Sequence, residues 1–271
     1  NNLLSNNELD KIFEFCHDNN ILIFDTAQDY GKSEDILSNY SKIYDNFKII
    51  TKSNFIKNQE NNIYHIINNS IAKFNTIEYY LLHNFQDYKN IEIINIIEKL
   101  KNENKINKIG VSIYNVKEAI LLLKENKIDV LQIPFNYLDN QWNNEEFQNL
   151  IIKNKVEIHV RSIFLQGLLI NKPNKYPINI SKDNIDILEN IINDICKKLD
   201  LSKIELCFYY INSIEWIDKF LIGIDNINQL KSNYNIINKN LKLNKEDIKY
   251  IENKIKNINK IILDPSKWIF N

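Results

Sequence analysis

The chain has 271 residues, 44% of them hydrophobic and 25% charged, with a formal net charge of −1. That composition supports a sizeable core, in one (β/α)8-sized domain or two small ones. The small net charge, with Lys and Arg spread along the chain, argues against nucleic acid as the main partner. No apolar run approaches a bilayer span or reads as a signal peptide, so no membrane partner is expected.

Ser5-Asn6-Asn7-Glu8 has capping-box spacing, and Leu9, Ile12, Phe13 and Cys16 follow at helical spacing, predicting a helix to about His17. Residues 21–24 read as the first strand. The polar stretch from Asp25 to Asp29 ends it, Gly31 turns the chain, and Ser33 is the predicted N-cap of a helix over 34–41. Strands follow at 48–51, ending at Lys52, at 79–82, ending at His83, and at 108–111, ending at Ser112. Helical stretches over 64–74 and along Ile91, Ile94, Ile97 and Leu100 separate them. Asn115 opens another helix, and 129–133 is a strand broken by Pro134, with a helix over 145–153 behind it. A strand over 156–160 runs into Arg161, and an insertion with Pro173 and Pro177 precedes helices near 184–198 and 202–211. The last strand is 219–224, and helices near 227–238 and 245–258 close the chain.

Seven strands, each followed by at least one helix, argue for a parallel sheet with helices outside. Strands this short and apolar on both faces suit a barrel wall. An open doubly wound sheet also fits the alternation, but no Gly-x-Gly-x-x-Gly follows any strand, and the chain has only four glycines. No compositional break marks a linker, so residues 1–271 read as a single domain. Cys16, Cys196 and Cys207 sit in apolar helical contexts without metal-ligand spacing. Buried free thiols in a reducing, cytoplasmic setting are the expectation, with no metal.

Asp25, Lys52 and His83 end consecutive strands, and Tyr30 lies in the loop after the first of them. A barrel gathers such ends at the face where these folds place their sites. The set suits carbonyl reduction. A phenol with pKa near ~10 is a sluggish acid at neutral pH; a nearby ammonium stabilises the phenolate, and a carboxylate holds the ammonium. An imidazole then orients the carbonyl. A metal-dependent hydrolase barrel would need several His and acidic residues at strand ends, where only Asp25 and His83 qualify.

The wording Phe24-Asp25-Thr26-Ala27-Gln28-Asp29-Tyr30-Gly31-Lys32-Ser33-Glu34, with Leu81-Leu82-His83-Asn84, resembles the signature of the aldo-keto reductases. That resemblance implies a TIM (β/α)8 barrel that moves a hydride between a nicotinamide cofactor and a carbonyl, covering roughly residues 5 to 235. It implies a catalytic tetrad of Asp25, Tyr30, Lys52 and His83, with Tyr30 as general acid in reduction. Ile109-Gly110-Val111-Ser112 and Leu131-Gln132-Ile133-Pro134 resemble the strands whose Ser and Gln hold the nicotinamide carboxamide, here Ser112 and Gln132. Arg161-Ser162-Ile163-Phe164-Leu165-Gln166-Gly167 resembles the cofactor loop, placing Ser162, Leu165 and Gly167 near the pyrophosphate. Arg161 stands where many members stack an aromatic ring. The last strand and its helix put Gly223, Gln229 and Asn233 on cofactor positions, with Gly223 and Gln229 where many members carry the Lys and Arg that clamp a 2′-phosphate. The implied cofactor is NADPH, with NADH as the alternative, and the implied partner is a small-molecule carbonyl.

Only Asn1 to Leu4 precede the first helix, and the chain contains no Met. A chain lacking the family's first strand is therefore expected. The competing reading is a weakly active or inactive cofactor-binding barrel of the same family.

Overall fold

Short apolar runs alternate with amphipathic stretches along the chain and become parallel strands; the five central ones are largely buried on both faces, the first and last only partly. The computed structural model describes residues 4–55, 63–74, 76–171, 177 and 179–269, Ser266 by its backbone only. The strands are Ile23–Asp25 (β1), Lys48–Ser53 (β2), Ile77–Leu82 (β3), Ile106–Ser112 (β4), Val130–Pro134 (β5), Glu157–Arg161 (β6) and Lys219–Phe220 (β7). The helices are Asn6–Asp18 (α1), Ser33–Ile43 (α2), Ile63–Phe74 (α3), Phe85–Tyr88 (α4), Ile91–Asn102 (α5) and Val116–Glu125 (α6). Glu145–Asn154 (α7), Lys182–Leu199 (α8), Lys203–Asn212 (α9), Ile227–Ile237 (α10) and Lys245–Ile255 (α11) complete the set. The chain is thus α/β, with seven parallel strands among the described residues. Pro173, from the predicted insertion, lies outside those residues.

Two compact units divide the chain. The first comprises residues 1–133, 145–158 and 224–230. In it β1 to β5 pair in sequence order, with Asp25 opposite Ile50, Lys52 opposite Leu81 and Ser112 opposite Gln132. Ile50, Tyr80, Leu81, Leu82, Val111 and Leu131 are wholly buried. Gly110 is required by space: a Cβ there would stand 2.4 Å from Val130 Cγ1 and 2.5 Å from the Val130 carbonyl. Ile12, Cys16 and Leu230 pack together with Phe24, Ile224 and Ile227. Glu8 ties this cluster by accepting from the Ile227 amide at 2.7 Å.

The second unit comprises residues 134–144, 159–223 and 231–271. Its strands β6 and β7 pair through His159–Lys219 and Val160–Phe220. Aromatic packing fills it: Phe164 meets Phe208 edge-on at 5.2 Å, and Phe135 meets Trp216 at 5.1 Å. Ser202 and Glu205 form a reciprocal capping box on α9. The Ser202 hydroxyl and amide hold the Glu205 carboxyl down at about 2.

Three expectations need correction. Ser33 is the first helical residue of α2 and does not cap it; its hydroxyl instead accepts from Thr26 Oγ1 at 2.8 Å. The last strand reaches only Phe220, with one more ladder bond from the Leu221 amide to the Val160 carbonyl. Beyond it, residues 222–224 carry no strand pairing. Cys16 and Cys207 are buried, but Cys196 is partly exposed; all three are free.

Candidate active site

The first unit brings Asp25, Tyr30, Lys52 and His83 together. Parallel pairing aligns the strand ends, and ladder-like bonds continue past them: Gln28 N–H to the Lys52 carbonyl (3.0 Å) and His83 N–H to the Ser53 carbonyl (2.9 Å). Lys52 is 1% exposed, and its Nζ lies 2.5 Å from Asp25 Oδ2. A buried ammonium without such a partner would carry a desolvation cost on the order of several kcal/mol. Gln132 Nε2 donates to the other carboxylate oxygen, Asp25 Oδ1, at 2.8 Å, so both oxygens are engaged. The same ammonium stands 5.4 Å from the centroid of the Tyr30 ring. The His83 ring approaches Tyr30 edge-on, at 6.0 Å and 73°. Tyr30 itself is 49% exposed. The cluster therefore places a phenol open to solvent between a buried cation and an imidazole, which is an arrangement for delivering a proton to an oxygen outside.

Ser112 and Gln132 face one another in register and are both buried. Gln132 spends its amide hydrogens on Asp25 and leaves Oε1 buried without a protein partner. An orphaned acceptor of that kind fits the N–H group of a carboxamide.

The remaining positions named by the resemblance differ in character. In the second unit, Arg161 ends β6, and its carbonyl accepts from the Phe135 amide. Ser162 (φ +63°), Leu165 (φ +47°) and Gly167 (φ +86°) lie in left-handed conformations, and Leu165 is wholly buried. Asn233 is buried with both side-chain amide atoms unpartnered, which suits the donor and acceptor edge of a base. A Cβ at Gly223 would meet nothing within 4 Å, so its glycine is not imposed by the fold. In the first unit, Gln229 is occupied: its Oε1 accepts from the Asp225 amide at 2.6 Å.

The aldo/keto reductase family model matches residues 2–256. The chain belongs to the aldo/keto reductase family. It is similar to the solved structure of aldo-keto reductase AKR11C1 from Bacillus halodurans in its apo form, with a TM-score of 0.70 and 22% identity over 92% of this chain and 85% of that one. The holo form of the same protein gives a TM-score of 0.72 and 21% identity over 92% and 85%. Likeness at that identity shows the fold, the (β/α) architecture of aldo-keto reductases. No curated protein sequence matches the chain. Family and fold support an oxidoreductase.

Sequence reasoning on this aldo/keto reductase missed a largely buried polar cluster that binds the Tyr30 loop. Ser53, Ser70 and Tyr80 carry no motif of their own, and Gln28 and Glu34 were visible only as letters of the signature. Tyr80 is wholly buried against Ser53, and burial holds its phenol well above the ordinary value. Among the described residues no group of three or more His, Cys, Asp or Glu is placed to hold a metal ion. No helix among them is long and apolar enough to cross a membrane.

Proposed function

We propose that this aldo/keto reductase reduces an aldehyde or ketone to an alcohol with a nicotinamide cofactor, Tyr30 acting as general acid assisted by Lys52, Asp25 and His83. The observation that carries the reading is the buried Lys52, held by Asp25 at 2.5 Å and poised at the ring of an exposed tyrosine. The bound cofactor supplies the hydride. Gln132 Oε1 and Ser112 would receive its carboxamide, and Asn233 the adenine edge. Arg161, Ser162, Leu165 and Gly167 are the further positions the family resemblance assigns to it. Lys52 makes loss of the Tyr30 proton easier by stabilising the phenolate, and Asp25 keeps that cation in place. His83, against the Tyr30 ring, would orient the carbonyl oxygen that receives the proton.

The family resemblance favours NADPH; the residues at the 2′-phosphate position work against it and toward NADH. A 2′-phosphate carries close to two negative charges, and neither Gly223 nor Gln229 offers a cation to it. One family match running over residues 2–256 supports reading the chain as a single barrel domain, and the three free cysteines agree with a cytoplasmic location.

Titrating the protein with NADPH and with NADH, followed by tryptophan fluorescence, reads cofactor binding and preference. Steady-state reduction of a carbonyl panel by wild type and Tyr30→Phe tests the chemistry. The expected result is saturable binding to both proteins and a loss of about 10²- to 10⁴-fold in kcat for Tyr30→Phe, the usual worth of a general acid. Equal turnover by the two proteins sinks the assignment.

A further inference from the structure

Tyr30 is half exposed, with its ring against Lys52 and His83, and the loop that carries it is fastened on either side. On one side stands Gln28. Its Nε2 donates to the Ile66 carbonyl (2.6 Å) and to Ser70 Oγ (2.7 Å), both on α3. Its Oε1 accepts from Ser53 Oγ (2.7 Å), the residue after Lys52 on β2. The Tyr80 phenol, buried beneath, shares the Ser53 hydroxyl at 2.5 Å and fixes that partner in turn. On the other side stands Glu34, buried in the first turn of α2. Its Oε1 accepts from Ser70 Oγ and Thr51 Oγ1, each at 2.7 Å, and its Oε2 from Lys73 Nζ at 3.2 Å.

The two anchors meet at one atom. Ser70 Oγ accepts a hydrogen bond from Gln28 Nε2 and donates one to Glu34 Oε1. Every polar atom of the Gln28 amide is engaged, and the partners come from two different elements, so the loop cannot shift without leaving buried groups unpaired at about 1–3 kcal/mol each.

We propose that Gln28 and Glu34, clasped at Ser70, are positioning residues that hold the Tyr30 phenol at Lys52 for proton transfer. The proposal rests on the oxidoreductase reading above. A loop fastened only by its backbone would open locally at small cost, and a misplacement of about 1 Å in a reacting group can cost on the order of 10²-fold.

The test uses Gln28→Leu and Ser70→Ala, singly, together, and in a Tyr30→Phe background, with hydrogen exchange of the loop amides over 26–33. Each single variant is expected to lower kcat about tenfold or more, to leave KM within about twofold, and to raise exchange in that loop. The pair should lose less than the sum of the singles, because both act on one clasp. In the Tyr30→Phe background, Gln28→Leu should lower the residual rate no further. Ser70→Ala deletes only a hydroxyl and keeps the test open if Gln28→Leu does not fold. A loosened loop with unchanged kcat overturns the proposal, and so does an equal loss without the Tyr30 hydroxyl. Unchanged exchange in both variants refutes the clasp itself. A wild type without Tyr30-dependent turnover refutes the oxidoreductase reading instead.

Discussion

Between β1 and α2 the chain is fastened by side chains in addition to its main-chain bonds; after β6 main-chain bonds predominate, with one side-chain bond from Asn136 Nδ2 to the Ser162 carbonyl at 3.3 Å. The first loop carries Tyr30 and is bound through Thr26, Gln28 and Glu34 to Ser33, Ser53, Ser70 and Thr51, with Gly31 its one left-handed residue. The loop after β6 takes left-handed conformations at Ser162, Leu165, Gln166 and Gly167. Main-chain bonds close it: Leu165 N–H to the Ser162 carbonyl, Gly167 N–H to Phe164, and the Ile170 and Asn171 amides to Gly167. A loop held by side chains fails when a side chain is removed. One held by backbone geometry fails when a residue can no longer adopt the required φ. The two loops should therefore answer to different substitutions.

The largest effect belongs to the side-chain-fastened region. Lys52→Met removes the cation that engages Asp25 Oδ2 and leaves a largely buried carboxylate with Gln132 as its remaining side-chain donor. Breaking a buried pair from one side costs about 3 kcal/mol, and loss of the cation beside Tyr30 should lower kcat by at least about 10²-fold. Denaturant unfolding and steady-state kinetics measure the two losses. A stability change below about 1 kcal/mol would show that Asp25 is held by something other than the ion pair.

The reverse case is Gly167→Val. Its φ of +86° is unfavourable for a β-branched residue, while nothing stands within 4 Å of an added Cβ, so any cost is conformational and not steric. About 1–3 kcal/mol is expected, read as a lowered Tm and faster exchange confined to residues 162–171. Faster exchange in the Tyr30 loop as well would break the separation between the two modes.

These modes also explain what could be read in advance. Asp25, Lys52 and His83 were legible because apolar runs stop at them, and a parallel ladder makes such stops line up. The seven strands were legible for the same reason. The clasp was not. Gln28 meets Ser53, Ile66 and Ser70 across 25, 38 and 42 residues, and a lone Gln in a loop gives no sign of partners so distant. Nor was the short β7, because Leu221 to Ile224 has the composition of a strand, yet the ladder with β6 stops at the Leu221 amide. Leu165 and Gln166 gave no warning either, since neither residue type favours positive φ.

The smallest effect sharpens that last point, and it has the opposite sign. Gln166 is exposed with φ +55°, so Gln166→Gly removes a conformational penalty at the loss of no buried contact. A gain of about 0.5–1 kcal/mol is expected. Its neighbour Leu165 has nearly the same conformation, φ +47°, but is wholly buried. There Leu165→Gly gives up a leucine's burial, worth about 2–3 kcal/mol, and the net change is destabilising. Thermal unfolding of the two variants side by side separates backbone strain from packing at adjacent positions. If Gln166→Gly also lowers Tm, the Gln166 side chain is itself a fastener, and the loop after β6 is held in the same way as the loop that carries Tyr30.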